Sequence, residues 1–366
     1  MKVIPVTKPF LPPKEEYDKY VNDIWKRNWL TNHGPLVQEF ETRLAAFLNI
    51  PFSLFVTNGT IALQLAIKAL ELEGEIITTP FTYVATTSSI VWEGCTPIFA
   101  DIDSTTLNID ASKIEKLITQ HTTGIVATHV FGRPCDIDII EKIAKKHNLK
   151  VIFDAAHAFG VKYKGKSIFE YGDISITSFH ATKLLHSTEG GGLFTKSEKI
   201  HNKLRLLRNF GHTSETTFDG IGINAKNCEF HAAMGLCNLK YIAEILENRK
   251  RQSVMYKSLL KDYVRFPIIQ NDLITEYNYA YFTIIFRSET ETGLIKKVLE
   301  KNGIYPRRYF YPSLSSLNYI KQSCATPISD SIAPRILCLP LFHLLSDTTI
   351  FEIATIVKNH TNERMQ

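Results

Sequence analysis

Apolar and polar positions along this chain keep two rhythms, a helical period near 3.6 and a strand period of two. Residues 15–25 place Tyr17, Tyr20, Val21 and Ile24 on one side, and residues 37–48 repeat that spacing, so both predict helices. Short apolar runs follow at 53–57, 75–80, 97–103, 124–131 and 150–154, each bounded by turn residues, and these predict strands. Between them, residues 61–72, the segment ending at Val91 and Trp92, 112–118 and 137–147 predict helices. Asp173-Ile-Ser-Ile-Thr177 alternates strictly and predicts one more strand, which runs into Ser178-Phe-His-Ala-Thr-Lys183 and the glycines 190–192. Strands that alternate with helices, each strand a near-continuous apolar run, imply an α/β fold with a mostly parallel sheet covered by helices.

The second half changes character. After Arg205 and Arg208 and a loop over 211–222, an apolar pattern runs through Leu239, Ile242, Ile245 and Leu246 to Leu260, which predicts one long linking helix. Beyond it lie a short strand at 281–286 and helices at 293–302 and 350–358, a compact α/β unit. The expected division is a large domain over 1–240, with a proline-punctuated arm at 5–13, and the linking helix with a smaller domain over 241–366. Trp29 sits in a turn-rich loop as an exposed aromatic.

Composition narrows the function. The chain has 366 residues, 44% hydrophobic and 22% charged, enough for a substantial core. Its net charge of +5 is too small to argue for nucleic acid and is compatible with anionic small substrates. Six scattered cysteines with no C-x-x-C pair read as free thiols in a reducing compartment, and no metal site is expected. No apolar leader opens the chain and no apolar run is long enough to span a bilayer, so the expectation is a cytoplasmic enzyme.

Ligands of open α/β sheets bind outside the carboxyl ends of the strands. Asn58, Tyr83, His129, Asp154 and Lys183 all fall at or just past such ends. Asn58, Gly59 and Thr60 open a helix, where free N–H groups suit a phosphate, although the same residues make an ordinary N-cap. Tyr83 offers a flat face to an aromatic ring, or plain packing. Asp154 ends an apolar strand, where a carboxylate needs a cationic or donor partner; the alternative is an N-cap for the residues after it. His157 stands beside it. Lys183, among hydroxyls at a strand end, suits imine chemistry or is a surface-loop lysine. A phosphate seat extended by Ser178, a flat aromatic, a carboxylate and an amine together match pyridoxal 5'-phosphate, whose ring accepts electrons while the lysine moves protons.

Six stretches in order carry a resemblance: Asn58-Gly-Thr-Ile-Ala-Leu63, Thr79-Pro-Phe-Thr-Tyr-Val-Ala-Thr86, Asp154-Ala-Ala-His-Ala-Phe-Gly160, Ser178-Phe-His-Ala-Thr-Lys183, Glu189-Gly-Gly191 and Gly222-Ile-Asn224. Over nearly its whole length the chain resembles the DegT/StrS-type nucleotide-sugar aminotransferases, which have the aspartate aminotransferase fold. The resemblance implies that Lys183 is the cofactor-bearing lysine and proton shuttle, Asp154 the partner of the ring nitrogen, and His157 a contact near the ring's phenolic oxygen. It implies that Gly59, Thr60 and Ser178 hold the phosphate, that Tyr83 stacks on the ring, and that Asn224 reaches the phosphate of a neighbouring subunit in a homodimer. It assigns Thr31, His180, Arg307, Arg308 and Tyr309 to the substrate; the run Arg307-Arg-Tyr-Phe-Tyr-Pro312 also reads as a solvated hairpin. The activity implied passes an amino group from L-glutamate, held as pyridoxamine 5'-phosphate, to the C4 keto group of a dTDP-4-keto-6-deoxy sugar. The products would be 2-oxoglutarate and dTDP-4-amino-4,6-dideoxy-D-glucose, for O-antigen or other polysaccharide synthesis. Amination at C3 and a non-catalytic cofactor-binding regulator stand as alternatives. Three positions depart from the family pattern: Thr188 where glycine is usual, Asn58 where serine is common, and Lys226-Asn227 in place of Arg-Met.

Overall fold

The computed structural model describes residues 3–268, 272–320 and 324–361. Two helices, α1 (Lys14–Arg27) and α2 (Pro35–Leu48), precede the central sheet. The sheet has seven strands: β1 (Phe52–Val56), β2 (Glu75–Thr78), β3 (Thr96–Phe99), β4 (Thr122–Thr128), β5 (Lys150–Asp154), β6 (Ile174–Ser178) and β7 (Gly191–Thr195). Their order is β1-β7-β6-β5-β4-β2-β3. The pairs from β6 to β3 are parallel, and β7 runs antiparallel to both β1 and β6. The mostly parallel sheet is therefore as the apolar runs imply. Strand β7 is where the pattern was silent. Its start is glycine because a Cβ at Gly191 would lie 2.2 Å from the Asn58 carbonyl oxygen. The glycines after Lys183 belong to a strand that presses against the opening of the next helix.

Helices α3 (Gly59–Ala69), α4 (Val84–Trp92) and α5 (Ile137–His147) cross between strands. Helix α5 has the bounds its pattern predicts and buries Ile137, Ile140, Ile143 and Ala144. The helix expected over 112–118 is shorter, Ala111–Ile114 and then one 3₁₀ turn, because Ile118 is already extended as the chain turns toward β4.

Helix α6 (Glu198–Arg208) closes the first half. The single long helix expected up to Leu260 is instead two, α7 (Glu229–Leu239) and α8 (Ile242–Leu260). The break at Tyr241 (φ −100°, ψ 4°) lets α7 pack on α2, with Gly235 against the Phe40 ring, while α8 leaves for the C-terminal part. Beyond α8, a two-stranded antiparallel sheet pairs β8 (Phe282–Ile285) with β9 (Ile336–Leu339), flanked by α9 (Glu289–Lys301) and α10 (Asp347–His360).

Two large cores lie against the central sheet and a third fills the C-terminal part around Tyr256, Leu260, Ile284 and Ile353. A fourth joins the two halves: Phe81, Val130 and Phe131 from the first pack with Tyr281, Phe310 and Ile336 from the second. Among the described residues no helix is long and apolar enough to cross a membrane.

Candidate active site

The register of the parallel strands sets one row of residues side by side. Thr128 ends β4 opposite Asp154 at the end of β5, and Asp154 lies opposite Ile176 near the end of β6. Val56 and Ser178 both pair with Gly191, so the loop holding Asn58 and the segment leading to Lys183 leave the sheet together. A cleft of about 390 Å³ opens over these ends. It gathers Asn58, Gly59, Thr60, Tyr83, Asp154, His157, Ser178, His180, Lys183, Arg307 and Tyr309, residues drawn from both halves of the chain.

Asp154 is 6% exposed. Thr86 donates its hydroxyl to Oδ2 at 2.8 Å, and the Ala156 N–H donates to Oδ1 at 3.1 Å. Burial raises its pKa against those two donors and the nearby Lys183 charge. Thr86 belongs to a hydroxyl chain: Thr82 lies 3.1 Å from Thr86 and 3.0 Å from Thr128. Asp154 is thus a fixed carboxylate facing the cleft, with two donors behind it.

Lys183 shows the opposite pressure. Loss of solvation lowers its pKa to about 8; the Asp154 charge raises it and Arg307 lowers it further. An amine that is half neutral near pH 8 suits a nucleophile and a proton carrier.

His157 is buried and its pKa is pushed well down, by burial first and then by Lys183. Its ring lies parallel to Phe310 at 5.6 Å and against Tyr281 at 4.6 Å. Nδ1 is buried without a hydrogen-bond partner among the described residues. The ring is a neutral imidazole held by packing from the C-terminal part.

Asn58 caps α3, its Oδ1 accepting from the Ile61 N–H at 2.9 Å. The cap takes the third helical N–H and leaves those of Gly59 and Thr60 at the cleft. A Cβ at Gly59 would lie 3.0 Å from the Ser178 Cβ, so glycine permits the helix opening to approach the end of β6. Tyr83, 51% exposed, precedes the first turn of α4 and presents its ring to the cleft. His180 accepts the Thr182 N–H on Nδ1 at 3.2 Å, which leaves the proton on Nε2, 3.4 Å from Glu189 Oε1.

From the C-terminal part, Arg307 is held by two backbone bonds with Cys338, and its guanidinium lies over the Tyr309 ring at 4.4 Å. It has no ion pair among the described residues, while Glu189 at the same cleft faces His180.

Four expected residues lie elsewhere. Arg308 points away from the cleft: it donates to Glu289 at 2.9 Å and to the Pro334 carbonyl at 2.7 Å, and stacks on Tyr311. Successive residues of an extended segment face opposite ways, so Arg307 and Arg308 cannot both enter. His129 is fully buried, stacks on Phe153 and accepts the Cys135 N–H on Nδ1, and burial lowers its pKa to about 3. Thr31 is exposed in the loop after α1, where its carbonyl accepts from Trp29 Nε1. Asn224 is exposed on the segment that pairs with Asn209. Neither Thr31 nor Asn224 lines the cleft of its own chain.

Residue-by-residue reading passed over Thr86, Glu189 and Phe310. Thr86 and Glu189 lie inside the motifs, and the signal for Thr86 was its place one helical turn after Tyr83. Phe310 lies inside the run 307–312, but nothing there marks its contact with His157, which is far away in sequence.

The profile of the DegT/DnrJ/EryC1/StrS aminotransferase family matches residues 13–358. The dTDP-4-amino-4,6-dideoxy-D-glucose transaminase of Escherichia coli is 38% identical over 366 residues, 97% of this chain and 98% of that one. The crystal structure of DesI, determined in the presence of its TDP-sugar product, superposes with a TM-score of 0.93 at 32% identity, covering 99% of this chain and 94% of that one. Spr1654 of Streptococcus pneumoniae in its PLP form superposes with a TM-score of 0.90 at 26% identity, covering 98% and 99%.

Proposed function

The chain belongs to the DegT/DnrJ/EryC1/StrS aminotransferase family, and we infer the activity from that membership together with the geometry of the cleft. We propose that it is a pyridoxal-phosphate-dependent transaminase. It takes the amino group of L-glutamate and places it on C4 of a dTDP-4-keto-6-deoxy-hexose, giving dTDP-4-amino-4,6-dideoxy-D-glucose and 2-oxoglutarate. The observation that carries this reading is the meeting of Asp154, His157 and Lys183 in one cleft at the ends of β5 and β6.

The donor set fits the cofactor. Among the described residues Asp154 has no bonded cation, which suits a protonated ring nitrogen, and the buried Nδ1 of His157 has no partner; the Gly59 approach leaves helix-opening N–H groups for a phosphate. Asp154, His157 and Tyr83 would hold the ring; Gly59, Thr60 and Ser178 would hold the phosphate. When bound, the cofactor supplies a carbon that carries the amino group and a ring that accepts electrons.

The chain's own residues do the rest. Asp154 keeps a negative charge in place, with Thr86 and Ala156 fixing its direction. Lys183 Nζ takes the α-proton of glutamate in the first half-reaction and returns a proton to the sugar's C4 in the second. Arg307 offers a guanidinium to the carboxylate or the diphosphate of the two substrates. Tyr309 and Phe310 cover the cleft and exclude water.

The reaction is tested by incubating the protein with L-glutamate and either dTDP-4-keto- or dTDP-3-keto-6-deoxyglucose, then locating the new C–N bond by NMR. Nitrogen at C4 is expected. Nitrogen at C3 replaces the regiochemistry, and no 2-oxoglutarate with either sugar leaves the regulator reading. Borohydride reduction followed by peptide mass analysis is expected to find pyridoxyl on Lys183.

The assembly proposed is a homodimer in which Asn224 serves the partner's phosphate site. Mixing the inactive variants Lys183→Ala and Asn224→Ala under subunit exchange then restores part of the activity, because one site of each mixed dimer is whole. No recovery argues for self-contained sites.

A further inference from the structure

The N-terminal arm joins two parts of the cleft that the sheet does not connect. Ile4 and Pro5 pair in parallel with Ile304 and Tyr305, just before Arg307. The Val6 carbonyl then accepts the Leu341 N–H at 3.0 Å. From there the arm crosses to the segment that carries Lys183. Thr7 places its hydroxyl 3.5 Å from the Thr182 carbonyl oxygen, and the Phe10 carbonyl accepts from His186 Nε2 at 2.7 Å. The arm thus meets the chain on both sides of Lys183. Its prolines hold it extended before it docks, so few contacts suffice to order it.

His186 takes no part in the chemistry, yet it is 2% exposed and bonded at both ring nitrogens. A carbonyl only accepts, so Nε2 carries the ring proton. Nδ1 is then free to accept the Thr188 N–H, which lies at 3.2 Å. Asn238 of α7 donates to the His186 carbonyl at 2.9 Å and lies against the ring. Burial lowers the pKa of His186, the Phe10 carbonyl raises it, and His180 lowers it. The ring is the neutral tautomer that these bonds require.

Plain core packing explains the burial of His186. It does not explain a ring proton spent on a segment arriving from the C-terminal part. The Phe10 carbonyl is a fixed post, because the Phe10 ring packs on Tyr241 at 5.1 Å and on His343 at 5.0 Å. Little slack surrounds Lys183. The space behind it, between His157, Thr182, Leu184 and Tyr281, is about 10 Å³, room for one water at most. A small shift of the 182–186 segment opens that space and returns water to the amine.

We propose that His186 is a positioning residue: by clasping the N-terminal arm across the Lys183 segment, it keeps the Lys183 amine seated and desolvated in the cleft. The kinetic part of the test rests on the transaminase reading, and the labelling part does not.

Five forms of the full-length protein are compared. They are wild type, His186→Asn, His186→Gln, Phe10→Ala and the double variant Phe10→Ala/His186→Asn. Asparagine keeps an acceptor for the Thr188 N–H but falls short of Phe10, whereas glutamine carries a donor out to the reach of Nε2. In cofactor-free protein, acylation of the Lys183 peptide is followed by mass against pH. His186→Asn and Phe10→Ala are expected to raise the midpoint from about 8 by about one unit or more, and His186→Gln to stay within about half a unit of wild type. In the cofactor-loaded enzyme His186→Asn is expected to lower kcat about tenfold or more, the scale of a displaced reacting group. KM for the nucleotide sugar should stay within about twofold, since the shared core around Phe81 and Tyr281 still holds the Arg307 wall. The double variant is expected to be no worse than the poorer single variant, because both break one clasp. A His186→Asn midpoint equal to that of wild type, in protein folded by circular dichroism, overturns the proposal. So do losses that multiply in the double variant, or a His186→Gln as impaired as His186→Asn. If His186→Asn does not fold, Phe10→Ala, at a partly exposed position, decides by the same midpoint. A raised midpoint in a protein whose wild type makes no 2-oxoglutarate upholds the clasp and removes the transaminase reading.

Discussion

Lys183 and Asp154 perturb each other across the cleft, and each can be tested alone. An amine titrating near 8 rather than near 10.5 has its neutral form favoured, so its reactivity rises as pH passes through about 8 and is lost below it. Acylation of the cofactor-free protein, read as mass added to the Lys183 peptide, is therefore expected to reach half its maximal rate near pH 8. A midpoint near 10 would show the amine to be solvated and remove the basis for its role. Asp154→Asn keeps an oxygen for the Thr86 hydroxyl but carries no charge. It is expected to fold and to lose activity by about a hundredfold or more, the scale of a removed electrostatic partner. Activity within tenfold of wild type would mean that the carboxylate's charge is not used.

The elements show how local geometry makes the site. The Asn58 cap is a helix stabiliser and also a cleft residue, and two substitutions separate the roles. Asn58→Ala removes the bond to the Ile61 N–H and is expected to cost about 1 kcal/mol of stability. Asn58→Asp keeps the cap, so its Tm should match wild type, while its added charge weakens cofactor binding. Equal cofactor affinity in Asn58→Asp and wild type would put the phosphate elsewhere. Thr188, where glycine is usual in the family pattern, adopts φ +69°, a left-handed conformation costly for a β-branched residue. Thr188→Gly is expected to raise stability by about 0.5–1 kcal/mol, strain relief exceeding the added chain entropy. A lower midpoint in urea unfolding would contradict the strain.

At the scale of the whole molecule, the cleft needs both halves of the chain. Arg307, Tyr309 and Phe310 stand over residues 56–183 because the shared core around Phe81, Phe131 and Tyr281 fixes them. A polar latch adds to that core: buried Asp101 accepts the Ile328 and Ser329 N–H groups, both at 2.9 Å. Asp101→Ala leaves these two donors and the Ile102 N–H unmet and is expected to cost about 2–4 kcal/mol. It should also raise KM for the nucleotide sugar more than it lowers kcat, since the wall loosens while Lys183 stays in place. Unchanged stability would show that the latch contributes nothing to the join.

The sequence by itself determined the alternation of strands and helices, the bounds of α5 and β5, and the strand-end positions of Asn58, Tyr83, Asp154 and Lys183. These follow from periodicity and turn chemistry, which act over a few neighbouring residues. Tertiary structure alone decided what depends on distant segments meeting. It inserted β7 antiparallel between β1 and β6, broke the long helix at Tyr241, sent Arg307 into the cleft and Arg308 away, and buried His129 against Phe153. It also laid Phe310 on His157. None of these has a local signature, because each rests on a packing contact or register that the chain makes only once it is folded.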